Sequence, residues 1–158
     1  MQLHFKSSRR NPRKIGVLLS ICFFALGTLQ AQTNMGWQDL ASGIILNFAP
    51  KQGIIPKFEP AAFTPDMKSM EGQKISITGY FLVLDARRSR FLLSKNPFAS
   101  CFFCGNGGPE TVMDLKFTKS YNFEVDDVIT VEGVLRLNES DPAYSYFILE
   151  KAVAYPFE

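Results

Sequence analysis

The sequence predicts a mainly β protein: a small closed barrel of five strands behind a short N-terminal helix and a proline-rich strap. Three observations predict it. From Lys74 onward, apolar and polar residues alternate in short runs divided by turn residues. Two of those runs share one spacing, Ile75-x-Ile77-x-Gly79 and Ile129-x-Val131-x-Gly133, and interior strand glycines mark bulges or tight coiling. Once a candidate export segment is set aside, about 127 residues remain, enough for one domain with one core.

The export segment comes first in the chain. Lys6, Arg9, Arg10, Arg13 and Lys14 form a basic start without an acid. An apolar run follows from Ile15 to Leu29, and Leu29-Gln30-Ala31-Gln32 offers a cleavage point after Ala31. This order is that of a signal peptide over residues 1–31, and the run is short for a membrane span. Asn11-Pro12 disfavours the twin-arginine route, and Cys22 lies mid-run behind bulky Ile21, unlike a lipoprotein cysteine. The expected location is periplasmic or secreted, with membrane contact only through the signal before cleavage.

Removing that segment reverses the charge. Seventeen basic and 15 acidic residues become 12 and 15, so the remainder carries −3. Net charge then gives no reason to expect nucleic acid or anionic lipid as partners. His4, the only histidine, leaves as well. Without imidazole there is no Ser-His or Cys-His nucleophile pair and no zinc site that needs histidine. No phosphate cradle, nucleophile elbow or paired-carboxylate motif is visible, and an enzyme is not expected.

Residues 32–73 read as a helix and a strap packed on a barrel of residues 74–158. Over 34–48, Trp37, Leu40, Ile44 and Phe48 recur at helical steps, with Asn34 as a cap and Pro50 as a stop. Trp37 reads as a packing anchor. Pro50, Pro56, Pro60 and Pro65 argue against regular structure over 49–70, while Ile54, Ile55, Phe58 and Phe63 are too apolar for a free linker. Strands are expected from Lys74 to about Val83, Arg90 to Ser94, Thr111 to Phe117, Val128 to Leu137 and Tyr144 to Tyr155. Turns fall at 85–89 and 138–142. Five short strands with a coiled first and fourth suit the OB-fold. Its usual helix between strands three and four is not evident in residues 118–127.

The chemically distinctive stretch is Cys101-Phe102-Phe103-Cys104-Gly105, between the second and third strands. Four readings stay open. A structural disulfide needs only an oxidising compartment and closes a small ring, contributing about 2 kcal/mol. A soft-metal half-site for zinc or copper would need further ligands, for which Glu110, Met113 and Asp114 are candidates. A redox couple needs a lowered thiol pKa, usually from a helix N-terminus or basic neighbour, and the glycines that follow disfavour a helix. Both cysteines could also be buried thiols. Phe102 and Phe103 are candidates for partner contact. Arg87, Arg88, Arg90 and Lys95 near Tyr80, Phe91 and Phe98 could suit a single strand on such a barrel, but export and the −3 charge favour a solvated turn.

Several segments together carry a resemblance: Trp37-x-Asp39-Leu40, Phe58-Glu59-Pro60, Gly72-x-x-Ile75-x-Ile77-x-Gly79-Tyr80, Leu84-Asp85, Phe91-Leu92-Leu93-Ser94, Cys101 to Gly105 and Gly108-Pro109-Glu110. They resemble a family of secreted bacterial proteins of unknown function with Bacteroidetes-like signal ends. Some relatives carry a single cysteine followed by a histidine and prolines in this loop. Here there is a second cysteine and no histidine, so a histidine metal role does not carry over. The resulting expectation is a non-enzymatic binding or accessory module with the cysteine loop as its functional edge, docking an envelope protein or holding a soft metal. The alternatives are a thiol–disulfide redox protein and a structural envelope protein without a ligand.

Overall fold

The computed structural model describes residues 33–46, 60–101, 104–105 and 107–158, all within the unit Ala31–Glu158. The expected signal segment 1–31, Phe48, Pro50, Ile54 to Phe58, Phe102 and Phe103 lie outside the described residues. Ten elements follow in order: β1 (Thr33–Asn34), α1 (Trp37–Gly43), β2 (Ile44–Ile45), β3 (Ala62–Phe63), α2 (Pro65–Met70), β4 (Lys74–Asp85), β5 (Arg90–Ser94), β6 (Val112–Phe117), β7 (Val128–Leu137) and β8 (Phe147–Pro156). Short 3₁₀ turns at Phe98–Ser100 and Pro109–Thr111 bracket the cysteine loop.

Strands β4 to β8 close a five-stranded barrel. Around it the neighbours run β4-β5-β6-β8-β7, and β7 returns to β4. Within the barrel the pairings are antiparallel except β6 with β8. This is the connectivity of an OB-type barrel. The two segments that echo each other in sequence lie side by side: Ile75 faces Gly133, Ile77 faces Val131 and Gly79 faces Ile129. Each glycine has a physical cause. A Cβ on Gly79 would stand 2.5 Å from the Ser94 carbonyl oxygen and 2.9 Å from Trp37 Cζ2. At Gly133 it would stand 2.7 Å from the Glu150 carbonyl oxygen, where the β7–β8 register shifts.

Inward residues of the five strands make the core. Ile75, Ile77, Leu93, Met113, Val131, Leu135, Phe147 and Leu149 are among its buried members. The N-terminal elements join it through Leu40, Phe63 and Met67. Trp37 donates its indole N–H to the Thr78 carbonyl at 2.8 Å, so the packing anchor also satisfies a strand acceptor. β1 runs parallel to β4 beside Ile75 and Ser76, covering the edge of β4 that β5 does not reach.

Two N-terminal expectations are corrected. The helix spans seven residues rather than 34–48. Asp39 reaches back to the Gly36 N–H at 2.7 Å, so the helix starts after Gly36, and Asn34 belongs to a strand. At its other end the β-branched pair Ile44–Ile45 leaves the helix to pair with β3. Within the expected strap, residues 65–70 are helical. Thr64 caps that helix by accepting from the Met67 N–H at 3.3 Å, and Pro65 occupies the first helical position, where its missing N–H costs nothing. The third strand begins at Val112, since Thr111 ends a 3₁₀ turn, and the fifth begins at Phe147 because Asn138 and Asp114 hold residues 141–145 as a loop. Among the described residues no helix is long and apolar enough to cross a membrane.

Candidate functional site

Two places carry chemistry. The first is the cysteine loop. Cys101 is fully buried and packs with Leu82 and Leu92, on the side of the β4–β5 hairpin opposite the main core. Cys104 is exposed. Its backbone N–H donates to the Cys101 carbonyl at 3.0 Å, a tight turn, and its thiol donates to the Phe98 carbonyl at 3.2 Å. Gly105 follows at φ +82°, a left-handed position that suits glycine. Desolvation raises the Cys104 thiol pKa, and the adjacent Cys101 thiol raises it further through a hydrogen bond and charge. Because Cys104 is exposed as a residue, the Cys101 contact is the better physical account of that rise. A raised pKa keeps the sulfur protonated at neutral pH, the reverse of what a reactive redox thiol needs.

The candidate metal ligands do not gather around the sulfurs. Met113 points into the barrel core. Asp114, on the outer face of β6, is committed elsewhere: one oxygen accepts from Arg90 Nη2 at 3.0 Å and the other from the Ser145 N–H at 2.6 Å. Glu110 folds back onto Gly108. Among the described residues no group of three or more histidine, cysteine, aspartate or glutamate side chains could hold a metal ion.

The second place is a groove of about 700 Å³, open to solvent, on the face of β5 and β6. Ser89, Arg88 and Arg90 reach it from the β4–β5 turn, and Lys116, Lys119 and Tyr121 from β6 and beyond. Tyr144 enters from the β7–β8 connection. The floor is aromatic. Phe81 stacks on Phe91 at 5.5 Å, Phe91 meets Phe117 at 5.8 Å, Phe117 meets Tyr121 at 4.8 Å, and Tyr121 stacks on Phe123 at 5.2 Å. Residues 118–127, without a helix, thus close this end of the barrel with rings. Tyr121 is pinned there by accepting the Ala154 N–H at 3.0 Å.

Two side chains position the wall. Asn138 donates to the carbonyls of Asp141, Tyr144 and Ser145 at 2.7, 3.1 and 3.1 Å, and it accepts the N–H of Asp141 at 2.8 Å. That network shapes the connection that carries Tyr144. Asp114 then ties Ser145 to Arg90, so one buried carboxylate joins the β7–β8 connection to β5. Arg90 stands over the Tyr144 ring at 5.2 Å and Lys116 at 4.7 Å, while Lys119 stands over Tyr121 at 5.1 Å.

Sequence reasoning singled out Arg88, Arg90 and Phe91 but weighed them as a turn. It missed Lys116, Lys119, Tyr121 and Tyr144 as partners. The available signal was the OB-type order itself, which sets the second and third strands side by side and places the connections after the first and fourth beside that face. No family model, curated protein or solved structure matches the chain, so the site speaks through its own geometry.

Proposed function

We propose that this chain is an exported, non-enzymatic binding module. The barrel is its rigid frame, the groove on β5 and β6 its binding face, and the Cys101–Cys104 loop a structural disulfide. One observation carries the reading: an open groove of about 700 Å³, of ligand-site size, with Arg90 and the Tyr144 connection held in its wall by part-buried hydrogen bonds. Among the described residues its single carboxylate, Asp114, is occupied by Arg90 and Ser145, and the other ionisable chains that line it are cations and tyrosines. That inventory suits holding a ligand better than turning one over.

The binding face thereby moves from the cysteine loop to the groove. Both cysteines are free thiols in this structure; their contact and the expected oxidising compartment support a disulfide, and the dispersed candidate ligands favour it over a metal. Its formation joins two thiols through one S–S bond, releasing two protons and two electrons to a disulfide donor of the envelope. Intact mass of the envelope-purified protein checks this. A deficit of two hydrogens, reversed by dithiothreitol, is expected, and free thiols with bound zinc or copper would refute it. The binding reading is checked by hydrogen exchange with and without a low-molecular-weight envelope extract. Slowed exchange over 88–91 and 114–121 is expected, and unchanged exchange there would sink the reading.

A further inference from the structure

We infer that the groove's ligand is a short acidic oligosaccharide, recognised through carboxylate or sulfate groups. This rests on the binding reading above and names the ligand class of that same groove.

Charge gives the sign. From residue 33 onward the chain holds 12 basic and 15 acidic residues. The groove lining holds Arg88, Arg90, Lys116 and Lys119 against one acid, Asp114. A third of the cations thus meet one-fifteenth of the acids on an otherwise acidic molecule.

Three of the four cations have a carboxylate within 4 Å, held with unequal strength. Arg90 consumes Asp114. Lys119 has no ion pair among the described residues and rests on Tyr121. Lys116 stands 3.6 Å from Glu150, which Arg136 also holds at 3.2 Å. Arg88 is 82% exposed, with a loose 3.6 Å contact to Asp85. The Arg88 and Lys116 contacts are exposed and weak, so these two chains, with Lys119, can exchange their partners for the anionic groups of a ligand.

Aromatic packing separates a glycan from a nucleic acid. Single-strand binders offer open rings on which successive bases stack. Here Phe81 is buried, and Phe91, Phe117 and Tyr121 are half-buried against one another. The exposed aromatics Phe98, Tyr155 and Phe157 do not line the groove. What the surface presents beside its cations is hydroxyls, from Ser89, Ser120 and Tyr144. Cations with hydroxyls match a sugar that carries acid groups.

The test is isothermal titration of the envelope-purified protein in low salt. Four probes are used: tetragalacturonate, a heparin-derived tetrasaccharide, neutral maltotetraose and an octathymidylate. Either acidic tetrasaccharide is expected to bind, with the stronger of the two distinguishing carboxylate from sulfate recognition. Lys116→Gln and Lys119→Gln should each weaken that binding about tenfold, the scale of one charge-assisted hydrogen bond. Lys68→Gln, on α2 outside the groove, should leave it unchanged. Circular dichroism confirms that each variant folds. Equal binding of maltotetraose, or tighter binding of octathymidylate, would overturn the inference while sparing the binding reading. So would the absence of acidic-sugar binding in a protein whose groove the envelope extract still protects. Loss of that protection as well would remove both.

Discussion

Replacing Asp114 probes the joint on which the groove wall depends. Its side chain is 5% exposed and satisfies two donors. In Asp114→Ala the Ser145 N–H loses its acceptor, which costs about 1–3 kcal/mol for a buried donor. Arg90 loses its counter-ion as well. Its side chain is 29% exposed, so water replaces part of that contact and the cost falls to about 1 kcal/mol, below that of a fully buried pair. The expected loss is about 3 kcal/mol, a large share of a small domain's stability. Asp114→Asn keeps an oxygen for Ser145 while removing the charge, and about 1–1.5 kcal/mol is expected. Urea unfolding followed by the fluorescence of Trp37, the only tryptophan, measures both. Hydrogen exchange at Ser145 should also accelerate in the alanine variant, at most mildly in the asparagine one. Equal stabilities for the two variants, or an alanine loss under about 0.5 kcal/mol, would refute the assignment of Asp114 as the joint.

The other expectations concern packing, capping and the thiols. Gly79→Ala drives a methyl against the Ser94 carbonyl and should cost about 2–3 kcal/mol in thermal or urea unfolding; a neutral result would contradict the close approach. Trp37→Phe deletes the 2.8 Å bond to Thr78 and should cost about 1 kcal/mol or more, read by circular dichroism. Asn138→Ala strips the β7–β8 connection of its donors, and about 2–3 kcal/mol with faster exchange over 141–145 is expected. In the reduced protein, Cys104 should alkylate more slowly at pH 8 than a free thiol, since its pKa is raised and the reactive thiolate fraction is smaller. A pH–rate profile inflecting below that of glutathione would contradict this.

Alternation made the barrel legible. β5 and β7 occupy the expected residues because each is bounded by turn chemistry, and β7 also alternates along most of its length. The strap misled because prolines were counted as breakers, although Thr64-Pro65-Asp66 places one where a helix begins. The overlong helix followed apolar spacing past Gly43, where Ile44 and Ile45 satisfy a two-stranded pairing instead. The groove was harder to see. Arg90, Lys116 and Tyr144 are far apart in sequence, and only the closure of β5, β6 and β8 brings them together. No local pattern records that Asp114 bridges Arg90 to Ser145, because both contacts are made through tertiary structure.

The seam between β4 and β7 also sets the order of events in folding. It joins Lys74 to Val134 and Tyr80 to Val128, partners 60 and 48 residues apart. Pairings at such range pay their loop-closure entropy before any contact repays it, and they slow folding accordingly. Until the segment beyond Val128 is available, β4 has no β7 partner and the barrel stays an open sheet.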